Sequence, residues 1–346
     1  MPTVVVFPEP RRARLVDEEP QPVDAGSVRI RTEFSGISAG TELTAYRGMN
    51  PYLERRWDAE RRLFVPGAQT LAFPIVGWGY EEVGVVVEVG ARAEGVGVGD
   101  RVWGSWGHRS ETVQPADRAG MRILDPAADA RIGVFSKIGA IALNAVLDAR
   151  LHPGETVVVF GLGVPGQLAA SLAASAGARV IGVDLHEARR ALARSRGIEE
   201  VLDPADGDVA ALVRDLTAGR GADVAIEFTG AASALHEAIR TVGYDSRVVV
   251  SGFHQGDAVG LRLGEEFHHN RITLVSSQIS GVAPDLRHRW DEHRLAATAI
   301  DRAVRGELPV LDLISHTLPA AEVADAFRLV DTDPRSTLQV VLDFRA

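Results

Sequence analysis

Cysteine is absent from the 346 residues. That excludes disulfides and every metal site built on thiolates. Basic residues are in the minority: 37 Lys and Arg stand against 47 Asp and Glu, for a net charge of −10. Such a balance argues against nucleic acid and anionic membrane surfaces as partners. No uninterrupted apolar run reaches about eighteen residues, and no signal-peptide pattern opens the sequence. Internal repeats and low-complexity tracts are missing too. What is left is the expectation of a cytoplasmic protein, long enough for two domains, acting on small molecules.

What is present centres on Glu155 to Asp184. The apolar run Val157 to Phe160 reads as a buried strand. Gly161-Leu162-Gly163-Val164-Pro165-Gly166 follows at once. An alanine-rich segment, Gln167 to Ala176, has helical character. A second apolar strand, Arg179 to Val183, ends at Asp184. Strand, glycine turn, helix, strand and acid in this order make a dinucleotide-binding unit. Gly161 permits the tight turn, Gly163 lets a pyrophosphate approach the backbone, and Gly166 lets the helix pack on the strand. The first helical N–H groups then hold the phosphate. Asp184 suits the ribose hydroxyls and repels a 2′-phosphate, which favours NAD over NADP. Arg189 and Arg190 carry charge for a phosphate, but behind that acid they read as solvated helix residues.

Residues 1 to about 134 look β-rich, with strands at Thr3–Phe7, Ser27–Phe34, Val83–Val89 and from Arg101. The polar, aromatic segment Tyr46 to Pro74 reads either as a substrate-facing lid or as a plain surface loop. From Phe135, helices and strands alternate. Strands at Glu200–Leu202, Asp223–Phe228, Arg247–Val250 and Thr273–Ser276 bring the total to six, as in a doubly wound parallel sheet. From about Val282 the character changes again: a helix over Trp290–Gly306, strands at Leu311–Leu318 and Leu338–Phe344, and a helix at Ala321–Val330 between them. The expected division is 1–134 with 283–346, and 135–282.

Several motifs in order carry a resemblance: Gly36-Ile37-Ser38-Ala39-Gly40-Thr41-Glu42, Gly79-Tyr80-Glu81, Gly99-Asp100-Arg101-Val102, the glycine loop, and Glu227-Phe228-Thr229-Gly230. Together they resemble the medium-chain dehydrogenase/reductase superfamily, the zinc alcohol dehydrogenase relatives. SGISAGTE, FHHNRITLVSSQ and the run Arg289 to Arg294 are similar to bacteriochlorophyllide and sugar or cyclitol dehydrogenases. The resemblance implies a GroES-like β-rich catalytic domain, a Rossmann NAD-binding domain and a cleft between them. It implies hydride transfer at nicotinamide C4, with Thr229 and Gly252 beside the glycine loop in the cofactor site. It also implies homodimers or homotetramers, often joined at a sheet edge, here Thr273 to Ser276.

Zinc-dependent members carry cysteine, histidine and a third ligand at three places. Here the first falls on Ser38 or Ala39, the second on Tyr80, the third near Ser136 or Lys137. A hydroxyl, a neutral phenol and an ammonium are poor zinc ligands, so the expectation is no metal. The adjacent His268 and His269, and the pair His288 and His293, read as ordinary surface or packing residues. Without zinc, the substrate oxygen needs other partners. Thr41 matches the family's proton-relaying hydroxyl. Tyr80 stands where a ligand was, and Lys137 is placed to lower its pKa or to polarise the oxygen. Glu81 is available to orient either, and His108 is a further candidate base or substrate contact. Each has a plain alternative: Tyr80 fills the zinc void, Lys137 makes a surface ion pair, Thr41 caps a turn. The favoured function is a zinc-independent NAD-linked dehydrogenase for a polyol, cyclitol, sugar derivative or secondary-metabolite alcohol. The alternatives are an NADPH-dependent quinone or enoyl reductase, and a catalytically silent NAD-binding protein.

Overall fold

The computed structural model describes residues 1–67 and 69–346. They fold as two compact units, Met1–Lys137 with Ala303–Ala346, and Ile138–Arg302. The expected borders at 134/135 and 282/283 differ from these. The second difference has a clear cause. The helix Glu292–Val304 packs on the helix Ser136–Ala149, with Ala299 against Gly139, so most of its turns stay with the second unit.

The first unit is organised by the strand Ser27–Ile37. Val28, Ile30, Thr32 and Phe34 are buried while Arg29, Arg31 and Glu33 are not. That period of two marks a sheet with one face toward the core. The alternation stops at Ser35, and Ser35 to Ile37 are buried without a break. There the strand lies between two antiparallel partners, Glu82–Val89 and Gln339–Asp343, with Ser35 opposite Glu82. Glu111–Pro115, Arg101–Gly104 and Ile314–Pro319 complete this sheet. A smaller one joins Arg14–Asp17, Thr3–Phe7 and Ile75–Val76. Phe7, Tyr46 and Phe327 fill the core, with ring centroids 4.9 to 5.6 Å apart. Phe327 comes from the helix Val323–Thr332, which begins two residues later than the pattern suggested because Ala320–Glu322 forms a 3-10 turn first. The 3-10 turn Leu311–Leu313 likewise delays the next expected strand to Ile314.

The ambiguous segment after Tyr46 is neither a bare loop nor featureless. It holds a hairpin, Arg55–Asp58 with Leu63–Pro66, closed by Trp57 against Phe64 at 5.0 Å.

The second unit holds one six-stranded sheet, parallel throughout. Its order is Glu200–Leu202, Arg179–Val183, Thr156–Phe160, Ala222–Glu227, Val242–Val250, Thr273–Ser276. This is the doubly wound order, reversing direction between the third and fourth strands. Val157, Val158 and Val159 are fully buried, as strands covered on both faces must be. The helix after the glycine loop starts at Val164, three residues before the apolar pattern suggested. Pro165 in its first turn explains this, since a missing N–H costs nothing there.

The helical stretch Ala130–Ala149 has a mean hydropathy of 1.5 and is long enough to cross a bilayer, but 83% of it is buried inside the protein. Arg131 and Lys137 interrupt it, so it does not stand out in the sequence as an unbroken apolar run.

Candidate active site

In the first unit the turn Ser38-Ala39-Gly40 leads into the short helix Thr41–Tyr46. Tyr80 lies just before the strand Glu82–Val89. These elements bring Ser38, Thr41 and Tyr80 together. The Tyr80 phenol donates to Ser38 Oγ at 2.5 Å and is also hydrogen-bonded to the Thr41 side chain. Burial, then the nearby carboxyls of Glu81 and Glu42, hold the phenol pKa well above its ordinary value. This corrects the expectation of a phenol activated downward by Lys137: low dielectric and acidic neighbours both favour the neutral form. Tyr80 is thus a hydrogen-bond donor at neutral pH. Lys137, half-buried at the second position of the helix Ser136–Ala149, is the single lysine of the chain.

Behind the hydroxyls lies a group of buried acids. Glu42, Glu81, Glu82 and His108 are each fully shielded from solvent. His108 is not placed to touch a substrate, contrary to expectation. Its Nε2 lies 2.8 Å from Glu42 Oε2 and its Nδ1 2.6 Å from Ser35 Oγ. Burial pushes its pKa down to about 4, so the imidazole is neutral. The ring packs on Gly79, where a Cβ would come within 2.8 Å of it. Glu81 also departs from its expected role. Its Oε2 accepts from the Gln339 amide at 3.2 Å, and burial raises its pKa well above the usual carboxylate range. Glu42 is raised in the same way and accepts the Ser38 N–H. Glu82, raised to about 7 by burial against the pull of His108, accepts the Trp106 N–H at 2.7 Å. Glu42, Glu82 and Ser35 do not stand out in the sequence; Glu42 is there only a motif letter beside Thr41.

Ser38 and Tyr80 do not fit a zinc ion. Ser38 and Tyr80 are neutral hydroxyl groups committed to one another, and zinc takes thiolate, imidazole or carboxylate donors. Among the described residues, one histidine–carboxylate group has its ligand atoms within 4.8 Å of one another: His236, Glu265 and Glu266, in the second unit. Two guanidinium groups already supply positive charge there. Arg262 reaches His236 Nε2 at 3.0 Å and Glu265 at 3.1 Å, and Arg240 reaches Glu266 at 3.4 Å. His268 and His269 are exposed, their rings 5.5 Å apart.

The second unit carries a glycine turn whose geometry could hold a dinucleotide. Gly161 has φ +86°, a conformation that suits glycine. A Cβ on Gly166 would sit 1.8 Å from the Gly161 carbonyl oxygen, so only glycine allows this approach. At Gly163, by contrast, a Cβ would meet only Arg189 Nη1, at 3.8 Å. That side is open, faces the first helical turn formed by Val164 and Pro165, and is rimmed by a guanidinium: the requirements for a pyrophosphate. Asp184 is fixed by two backbone donors, Leu162 N–H to Oδ2 and His186 N–H to Oδ1, each at 2.7 Å. Arg189 and Arg190 are not solvated as expected. Arg190 is buried, pairing with Asp203 at 2.6 Å and Glu187 at 2.8 Å; Arg189 leans toward Asp184 at 3.8 Å. Carboxylates at the strand ends draw both inward.

Thr229 lies against Gly161, and Gly252 against Gly230. Both are held by Glu227, a buried acid that in the sequence is no more than a motif letter. Its Oε1 accepts the Thr229 hydroxyl and the N–H groups of Thr229 and Gly230, its Oε2 meets His254 Nε2 at 2.8 Å, and its carbonyl takes the Gly252 N–H. The signal available was an acid at the end of the strand flanking the switch point.

Comparison with known proteins agrees with this geometry. The family described as zinc-binding dehydrogenase matches residues 163–297. D-guloside 3-dehydrogenase of Escherichia coli (strain K12) is 31% identical over 348 residues, covering 98% of this chain and 99% of that protein. The 2-dehydro-3-deoxy-L-galactonate 5-dehydrogenase of Pseudoalteromonas atlantica is 27% identical, with 92% of each covered. The crystal structure of 2R,3R-butanediol dehydrogenase from Bacillus subtilis superposes with a TM-score of 0.79 over 99% of both chains at 20% identity, which attests the fold. The GroES-like plus Rossmann architecture and these full-length relatives lead to one conclusion: the chain belongs to the medium-chain dehydrogenase/reductase superfamily and is an oxidoreductase of the alcohol dehydrogenase kind.

Proposed function

We propose that the protein is a zinc-independent, NAD-linked dehydrogenase interconverting a secondary hydroxyl and a ketone on a sugar or polyol. One observation carries this reading: the neutral phenol of Tyr80 meets the hydroxyls of Ser38 and Thr41 in one buried cluster. A neutral phenol donates a hydrogen bond to a carbonyl or alkoxide oxygen and stabilises the charge that develops there. The nicotinamide supplies the hydride acceptor. The N–H groups at Gly163–Gly166 hold its pyrophosphate, with Arg189 alongside, and Asp184 accepts from the adenosine ribose. Thr41 moves the proton off the substrate hydroxyl, and the Lys137 ammonium polarises the same oxygen. The sugar substrates named for the full-length relatives support a polyhydroxylated substrate. The strand Thr273–Ser276 closes one edge of the sheet and is the pairing surface for a second copy.

The test is a panel of sugars, glycosides, cyclitols and polyols assayed with NAD and with NADP, on metal-analysed protein. Activity with NAD that survives chelators is the expected result. Tyr80→Phe should lower kcat roughly 100-fold, the scale of a lost acid–base partner, and leave the NAD Kd unchanged. Zinc retained in stoichiometric amount, or strong preference for NADPH and conjugated enones, would overturn the reading.

A further inference from the structure

His108 and Glu42 are more than filling behind the active site, because the hydrogen bonds that join them continue without a gap. Glu42 Oε2 meets His108 Nε2, His108 Nδ1 meets Ser35 Oγ, and Ser35 Oγ meets Glu82 Oε1 at 3.3 Å. Proton counting restricts this chain severely. Ser35 has one hydroxyl proton. If it donates to Glu82, it must accept from His108 Nδ1–H. A neutral imidazole then accepts at Nε2, so Glu42 must be the protonated partner. Reversing every bond gives the opposite arrangement, with the proton on Glu82 and Glu42 ionised. The two arrangements differ by one proton moved from one end to the other. The outer end, Glu82, is fastened to the backbone of the loop at Trp106, next to exposed Ser105. The inner end, Glu42, accepts the Ser38 N–H beside the Tyr80 cluster, and its Oε1 is buried without a hydrogen-bond partner.

We propose that Glu42, His108, Ser35 and Glu82 form a buried proton relay that carries away the proton released by the substrate hydroxyl. The proposal rests on the dehydrogenase reading above. In oxidation the substrate C–H leaves as hydride, with its electron pair, to the nicotinamide ring. The C=O bond forms and the O–H proton is released through the hydroxyl cluster. Glu42 takes it on Oε1 while the Oε2 proton passes to His108 Nε2, the Nδ1 proton to Ser35 and the Ser35 proton to Glu82. After release from Glu82 the chain is reset by reorientation: the Glu42 proton returns to the Oε2 position, the imidazole to its Nδ1–H form and the Ser35 hydroxyl to Glu82. The groups facing the relay are Glu81 and Tyr80 at its inner side, and His108 and Glu42 toward Glu82. The titration of Glu82 near pH 7 matches its place as the outer acceptor.

Ser35→Ala cuts the relay in the middle, Ser35→Thr restores a hydroxyl, and Glu82→Gln removes the outer acceptor while keeping its shape. Two readouts are needed: kcat for alcohol oxidation across the pH range, with its solvent deuterium effect, and the infrared band of protonated carboxyls in the cofactor-free protein. The relay predicts a kcat at least about tenfold lower in Ser35→Ala and Glu82→Gln, with KM and NAD affinity unchanged, and recovery in Ser35→Thr. It also predicts that the carboxyl band titrating near neutrality disappears in Glu82→Gln and shifts in Ser35→Ala. Wild-type kcat and pH profile in Ser35→Ala, or a kcat loss with unaltered carboxyl titration, overturns it. If the wild-type protein oxidises no alcohol, the dehydrogenase reading has failed, and the infrared arm still decides the proton chain: coupled titration sustains it and independent titration overturns it.

Discussion

The two halves of the candidate machinery are built in opposite ways. The dinucleotide cradle uses backbone: glycines without Cβ atoms, helical N–H groups, and two buried acids, Asp184 and Glu227, that fix loop amides. Most of it lies within Gly161 to Arg189. The hydroxyl site uses side chains: Ser35, Ser38, Thr41 and Glu42 from one stretch, Tyr80 to Glu82 from a second, His108 from a third, and Gln339 from the end of the chain. A site made of backbone is broken by added volume wherever glycine allows a close approach, as at Gly166. A site made of buried acids depends on its protons as well.

That contrast can be broken experimentally. Gly166→Ala should have the largest effect. A Cβ 1.8 Å from a carbonyl oxygen forces the helix off the strand. NAD binding should be lost, with destabilisation of about 3 kcal/mol or more, the range of severe packing and backbone lesions; calorimetry and denaturant titration measure both. Retained NAD binding would show that the cradle is softer than its geometry says.

Lys137→Met comes next. If the single lysine polarises the substrate oxygen, kcat should fall roughly tenfold or more while cofactor affinity stays the same. Because no other lysine competes, amine-directed acetylation of wild-type protein should reproduce the loss. Undiminished turnover in both would leave the hydroxyls to act alone.

Asp184→Asn should weaken NAD discrimination over NADP by roughly tenfold, the worth of about 1.4 kcal/mol. The amide has one acceptor oxygen where the carboxylate offers two to Leu162 and His186. A cofactor-affinity ratio equal to wild type would move the basis of selectivity to Arg189.

The smallest effect should be one of pH on stability. Glu82 has its folded pKa raised to about 7, so its contribution is full below the unfolded carboxyl value and lost as pH rises through 7. His108, lowered to about 4, contributes above its unfolded value near 6.5 and loses that as pH falls. The two oppose each other in the mildly acidic range, and above it the raised carboxyls of Glu82, Glu81 and Glu42 all lose stability as pH rises. Thermal midpoints should therefore decline as pH rises through 7, with Glu82 contributing under about 1 kcal/mol between pH 6.5 and 8, and Glu82→Gln should reduce the decline. A rise over that interval would contradict the burial assigned to this acid.

The legibility of the two sites follows the same contrast. Gly161, Gly163, Gly166 and Asp184 were readable because a βαβ unit is short and local, and each residue answers one steric or polar demand. Arg189 and Arg190 depart from the sequence expectation for a tertiary reason: helix position suggests solvent, but strand-end carboxylates sit beneath them. Tyr80, Ser38 and Thr41 could be named through aligned motifs, and they do converge. The direction of the Tyr80 pKa could not be read, because it depends on buried acids arriving from other strands. The buried role of His108 is not legible in the sequence, since nothing in Gly-Ser-Trp-Gly-His announces a partner at Glu42 or Ser35.

The sequence by itself determined the parallel sheet, the glycine turn with its acid, and the identity of the hydroxyl groups that meet at Tyr80. These follow from period, glycine placement and motif order, which are local properties. Only the tertiary structure decided what protons those groups carry. The register that sets Ser35 opposite Glu82, and the helix that closes Phe327 over His108, exclude water from four ionisable side chains at once. Removal of water, not residue type, is what raises the carboxyl pKa of these glutamates, keeps Tyr80 a donor and holds His108 uncharged.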